Sequence, residues 1–126
     1  MTDREYLELA AKAAGIHCKG WAMPGGRSDG WHGMYTGSDD DGAYLRWNPI
    51  TDDGDALRLA VKLRLHARQF PIIDDGFDAP LGMVEVWRVD GDDPMHVEFL
   101  RSGDDRLVAT RRAIVRAAAE IGRNMK

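Results

Sequence analysis

The sequence predicts an α+β domain: an antiparallel sheet of three to four strands packed by three helices in a sandwich-like way, with a long Gly/Trp-rich loop after the first helix. Three observations carry this. Three segments repeat apolar residues at helical spacing behind capping signals, two alternating segments flank a turn-rich Asp90-Gly91-Asp92-Asp93-Pro94, and the remaining strand-like pieces are short. With 126 residues, 44% hydrophobic and 30% charged, the chain has material for one core and is read as a single domain spanning 1–126.

The elements follow in order. Thr2-x-x-Glu5 reads as a capping box, in which hydroxyl and carboxylate each satisfy a backbone donor at a helix start. The helix it opens spans residues 3–14, with Tyr6, Leu9, Ala10 and Ala13 on one face and Gly15 to end it in a left-handed turn. Residues 16–42 are rich in glycine, with Trp21, Trp31 and Tyr35 interspersed, and read as a long loop of the kind usually functional or furnished with short elements of its own. Residues 43–47 alternate as a short strand stopped by Asn48-Pro49. Thr51 or Asp52 caps a second helix that presents Ala56, Leu57, Ala60, Val61, Leu63 and Leu65.

Residues 68–73 read as an edge strand, since Pro71 cannot donate to a central ladder. Residues 82–89 and 96–101 form a hairpin in which Val97 and Phe99 share one face, with His96, Glu98 and Leu100 opposite; Glu85 and Glu98 are assigned to solvent or to a partner. Asp104-Asp105 opens a third helix reaching about Asn124, with Leu107, Thr110, Ala113, Ile114, Ala117, Ala118 and Ile121 as its packing stripe.

Composition narrows the function. The single Cys18 excludes an internal disulfide framework and fits a reducing cytoplasm. A charged N-terminus without an apolar h-region, and the lack of any long apolar run, speak against export and membrane insertion. A net charge of −4 disfavours nucleic acid as the main partner. Much of the acid is Asp in short clusters beside glycine or at element boundaries, where it caps and turns the chain.

No motif for chemistry stands out. Cys18 with His17, His32, His66 or His96 is the only thiol–base combination, and a free cysteine is more often a small buried hydrophobe. The paired ligand spacings that zinc favours are missing, so no metal or other cofactor is expected. Asp39-Asp40-Asp41-Gly42 fails as a calcium loop because Asn48 falls where a bidentate Glu is needed. The glycines at 25, 26, 30 and 33 lack the context of a phosphate cradle. Arg111, Arg112, Arg116 and Arg123 lie largely off the third helix's stripe, where they read as a solvated face or, at Arg112 and Arg116, as a grip on phosphate or an acidic partner. Trp21, Trp31 and Trp47 suit either a binding hot spot or a core under the loop.

Two stretches carry a resemblance. Residues 47–56, Trp-Asn-Pro-Ile-Thr-Asp-Asp-Gly-Asp-Ala, resemble the W-N-P-x-x-D-x-x-D-A helix start of small proteins from tailed phages and proteobacterial prophages. Residues 109–120, Ala-Thr-Arg-Arg-Ala-Ile-Val-Arg-Ala-Ala-Ala-Glu, resemble the helix that closes their phage ABA-sandwich domain. The likeness runs roughly from Tyr44 to Arg123, implies a phage or prophage origin and a helix-backed antiparallel sheet, and transfers no active-site residue.

The expectation is thus a non-enzymatic accessory protein that binds a host or phage protein in the bacterial cytoplasm, for example to inhibit a host defence component. Its contact residues are read as Trp21, Trp31, Tyr35, Asp39, Asp40, Asp41, Arg112 and Arg116. A homodimer stays open; nucleic acid and membrane are not expected as partners. The alternatives are a small-molecule or nucleotide binder, with the third helix's arginines and Trp21 or Trp31 lining one pocket, and a small hydrolase or metal enzyme with Cys18 among histidines.

Overall fold

The structure, a computed structural model, describes residues 2–22, 33–38, 44–70, 82–101 and 103–125. Its elements are α1 (Asp3–Ala14), β1 (Gly20–Ala22), β2 (Gly33–Ser38), β3 (Tyr44–Trp47), α2 (Asp53–Leu63), β4 (Leu65–Phe70), β5 (Gly82–Arg88), β6 (Pro94–Leu100) and α3 (Arg106–Arg123). The fold is α+β, with three helices and two antiparallel three-stranded sheets ordered β1-β2-β3 and β4-β5-β6. Among the described residues no helix is long and apolar enough to cross a membrane.

The helices begin and end where their caps dictate. Thr2 Oγ1 accepts from the Glu5 amide at 3.2 Å while the Glu5 carboxylate accepts from the Thr2 amide, and Gly15 at φ 71° closes α1 by donating to the carbonyls of Ala11 and Lys12. Asp52 caps α2 and Asp105 caps α3. Arg64 adopts the left-handed conformation at φ 55°, which lets β4 start immediately after α2.

The segment expected as one long loop carries two strands, so the expected single sheet of three to four strands is instead a pair of three-stranded sheets. The register places Trp21, Met34 and Trp47 side by side across β1-β2-β3, and Met34 and Trp47 are buried on that face. Gly20, Gly33 and Gly37, where a side chain would mark the pleat, hide the two-residue period from the sequence.

α3 organises the rest. It lies against β4, β5 and β6 on one side and packs on α1 and α2 on others, with Ala109, Ala113, Ile114, Val115, Ala117, Ala118, Ala119 and Gly122 buried. The buried surface therefore wraps further round the helix than one stripe, while Leu107, assigned to that stripe, is exposed. α2 differs in the same way: Ala56, Leu59 and Ala60 are buried and the expected core positions Leu57 and Val61 face solvent. Asp55 is what fixes that rotation. Its Oδ2 accepts from the buried Asn48 amide at 2.9 Å, and Asn48 Oδ1 accepts from the Ile50 amide, which ties the end of β3 to the first turn of α2. Asp55 Oδ1 accepts from Arg58 at 2.7 Å, a bond that raises the pKa of the Arg58 guanidinium above its ordinary value.

α1 and α3 meet at Gly122, whose missing side chain leaves room for the Leu9 carbonyl; a Cβ there would overlap that carbonyl's carbon and oxygen. Because the obstacle is backbone, one helix must move to admit a methyl. Gly122→Ala is expected to destabilise the protein by about 3 kcal/mol, the upper part of the usual overpacking range, and to lower Tm by roughly 10 °C in thermal unfolding followed by circular dichroism. An unchanged Tm would mean that α1 and α3 do not touch here.

Candidate functional site

Of the residues expected to form a contact surface, Trp21, Tyr35, Arg112 and Arg116 are among the described residues, and these four are not brought together. Trp21 is half-buried on the inward face of β1, with the Arg4 guanidinium 4.7 Å from its ring centroid. Tyr35 pairs with Gly20 and Arg46 on the opposite face of the same sheet. Arg112 is exposed on α3, with no ion pair or hydrogen bond to a described residue. Trp31, Asp39, Asp40 and Asp41 lie outside the described residues, as does His32. Trp47 belongs to the core.

Arg116 is committed to structure. It donates to Glu98 Oε1, which also meets His96 Nε2 at 2.8 Å, and its guanidinium sits 5.4 Å from the Tyr6 ring centroid. Contrary to the expectation of a solvent or partner position, Glu98 faces α3, with only 17% of its side chain exposed. The reason is on the helix: a half-buried arginine opposite β6 needs a carboxylate, and Glu98 lies on the strand face that supplies one. Arg106 and Thr110 hold Gln69 of β4 likewise, and Arg111 donates to the Ile50 carbonyl and to Asp53.

Two depressions flank α1. One is a shallow notch among Asp3, Tyr6, Ile50, Arg112, Val115 and Arg116. The other, about 430 Å³, runs between α1 and the first sheet: Met34, Ala11 and Trp21 line it, with Glu8, Lys12, His17 and Cys18 among its polar residues. Among the described residues Arg112 and Arg116 line the first depression and Trp21 the second; Trp31, the other tryptophan of the nucleotide-binding expectation, lies outside the described residues. His17 and Cys18 share the larger cleft, where the thiol contacts the Gly20 carbonyl at 3.4 Å. Among the described residues no group of three His, Cys, Asp or Glu side chains is placed to hold a metal ion.

The surface that sequence reasoning missed is the face of β4-β5-β6 turned away from α3. Register builds it as three rows running across the strands: His66-Trp87-Pro94, Arg68-Glu85-Val97 and Phe70-Met83-Phe99. Phe99, whose face was read as distinct from that of Glu98, is 59% exposed. The Arg68 guanidinium lies 5.7 Å from the Phe70 centroid and 5.6 Å from that of Trp87, while Trp87 Nε1 donates to Glu85 Oε2 at 2.7 Å. The Glu85 carboxylate is thereby engaged with the indole, and Arg68 has no carboxylate partner among the described residues. Both faces of β5 and β6 carry apolar residues, so alternation alone could not say which was outside. The informative signal was Arg116, whose need for Glu98 decides it.

Comparison with protein-family models, with curated proteins and with solved structures finds no match to this chain.

Glu98→Gln keeps the shape of the α3–β6 connection and removes its charge. Allowing for partial exposure, it is expected to lower stability by about 1–2 kcal/mol in urea unfolding. A change near zero would mean that solvent screens the pair and that packing alone seats α3 on the sheet.

Proposed function

We propose that this chain is a phage- or prophage-encoded accessory protein that acts in the bacterial cytoplasm by holding another protein non-covalently, inhibiting a host defence component, and that the outer face of β4-β5-β6 makes the contact. The observation that carries the reading is that face: Phe70, Met83, Trp87, Val97 and Phe99 grouped on one side of a sheet whose other side is already covered by α3. Phe99 is exposed and the other four are half-buried; contiguous apolar patches open to solvent are scarce on proteins without partners, and Trp and Arg are the residues that most often anchor interfaces. The phage origin rests on the resemblance of residues 47–56 and 109–120. The exposed Leu57 and Val61 of α2 are only two residues one turn apart, less than a face.

A charge at the most exposed ring tests this with little risk to the fold. Phe99→Asp is expected to unfold like the parent chain yet to lose a partner that the parent captures from a bacterial lysate after crosslinking. If both chains recover the same proteins, or neither recovers any, the reading fails.

The cleft of about 430 Å³ supports a second reading, a small-molecule site with Trp21 as one wall, since that volume falls in the range of ligand pockets. It predicts that an aromatic or nucleotide ligand slows alkylation of Cys18 and shifts the fluorescence of the parent chain but not that of Trp21→Phe. A ligand panel that alters neither signal removes it.

A further inference from the structure

We propose that two copies of this chain associate through the free edges of their β6 strands, antiparallel about a two-fold axis at Val97, so that their β4-β5-β6 sheets become one. This goes beyond the protein-binding reading above and involves the chain alone. β6 is an outer strand of its sheet, and among the described residues the backbone of residues 95–100 bonds only to β5. An edge of this kind is a template for another strand. Its first end is blunted by Pro94 and by the irregular step in the ladder opposite Val86 and Trp87, whereas residues 97–100 carry no lysine, proline or bulge. The edges of the first sheet, β1 and β3, are only three and four residues long.

The pleat restricts the register. Residues directly opposite in an antiparallel pair lie on the same face, so a two-fold axis perpendicular to the sheet sets one residue against its own copy. At Glu98 the axis would oppose two carboxylates, and at His96 two imidazoles. At Val97 it sets His96 against the partner's Glu98 and Glu98 against the partner's His96. Within one chain these two side chains already meet at 2.8 Å, with Arg116 on the same carboxylate, so the dimer continues an existing alternation of base and acid. Further along, Arg101 comes toward the acidic turn of Asp92 and Asp93 in the second copy. On the other side of the sheet Val97 meets its own copy, and Phe99, 59% exposed, has the partner's Val97 within diagonal reach. β4, the opposite edge, lacks this complementarity. An axis at Ala67 opposes His66 to the partner's Arg68, and an axis at Arg68 opposes two guanidinium groups. Because the axis at Val97 is perpendicular to the sheet, both copies turn their α3 to one side and their apolar faces to the other, where the two faces join. The paired stretch is short, well under the approximately 800 Å² per partner of a standard interface, so the association is weak.

The test uses the purified chain. In a Cys18→Ser background one introduced thiol reports the register. Val97→Cys should form an intermolecular disulfide under mild oxidation, because Cα atoms opposed at the axis are about 4.5–5.5 Å apart, within disulfide reach. Phe99→Cys is the control. It lies on the same face and is more exposed, yet two residues from the axis its Cα stands about 14 Å from its copy, too far to bridge. Sedimentation of the parent chain should show a monomer–dimer equilibrium at concentrations up to about 1 mM. Val97→Lys should weaken it at least about tenfold, since the dimer opposes two ammonium groups, whereas in the single chain the new ammonium lies beside Glu85 and circular dichroism verifies folding. A parent chain that stays monomeric at that concentration, or a Val97→Cys chain that does not crosslink, overturns the inference and leaves protein binding through the outer face standing. Phe99→Cys dimers formed as readily as those of Val97→Cys overturn it too, as does a dimer indifferent to Val97→Lys, which joins its copies elsewhere.

Discussion

The close approach of α1 and α3 at Gly122 is the constraint on which the rest of the structure depends. With a glycine beneath the Leu9 carbonyl the two backbones nearly touch, and α3 can stay in contact with α1 only if its neighbouring positions are small as well. The alanines at 118 and 119, on the Gly122 side of the helix, meet that requirement, while those at 109, 113 and 117 lie on its opposite side. A helix of small residues gains little from any single side chain, so its seat must come from being covered on several sides at once. The second sheet, α1 and α2 provide that cover. Where the small residues stop, α3 reaches outward with arginines: Arg106 to Gln69 and the Phe70 carbonyl, Arg111 to Ile50 and Asp53, Arg116 to Glu98. Each of these bonds aligns a different neighbour against the same helix.

The turn from β3 into α2 solves a related problem. Trp47 and Ile50 enter the core, which carries the polar backbone between them inside as well. Buried amides and carbonyls are stable only when paired, and Asn48 and Asp55 pair them. The Trp-Asn-Pro stretch and its following acids are therefore accounted for by the fold, residue by residue. Asp52 caps the helix, Asp53 receives Arg111 and Asp55 receives Asn48 and Arg58. Because the fold accounts for each of these residues, the stretch carries no information about a partner.

What the sequence disclosed follows from how local each signal is. Capping boxes, a left-handed glycine and an Asp N-cap act within a few residues, so all three helices were legible at their starts and α1 and α3 at their ends, whereas α2 stops at Leu63 and the Leu65 assigned to it opens β4. β4 was legible as an edge strand, though it begins at Leu65. β1 and β2 were not, because their identity lies in pairing across the chain: Trp21, Met34 and Trp47 align only once the strands are in register. The faces of α2 and of β6 were misassigned for the same reason, whereas Glu85 of β5 does lie on the side turned away from α3. Leu57, Val61 and Phe99 are apolar enough for a core, and only distant residues, Asn48 for α2 and Arg116 for β6, decide which side turns inward. The same holds for the expected binding residues that are described. Trp21 and Tyr35 are both aromatic neighbours of the same glycines, yet the pleat puts them on opposite faces; Arg116 has a partner inside the protein.

The two sides of β4-β5-β6 show how one sheet can serve structure and recognition without conflict. On the α3 side, Val84, Val86 and Leu100 are buried, and the polar Gln69 and Glu98 are matched by groups on the helix. On the other side the composition is just as apolar, and its middle row sets Arg68 of β4 beside Glu85 of the central strand β5. A face of three strands is about 10 Å wide and roughly 20 Å long, well under the approximately 800 Å² per partner of a standard interface. Such a face by itself supports transient contact, and a tighter complex must extend past its edges. The nearest extension is the hairpin turn with Asp90, Asp92 and Asp93, which follows the row of His66, Trp87 and Pro94. Its charge opposes that of Arg68. A partner that extends onto this turn carries basic residues at that end of the contact, and that polarity fixes the direction in which the partner lies along the strands.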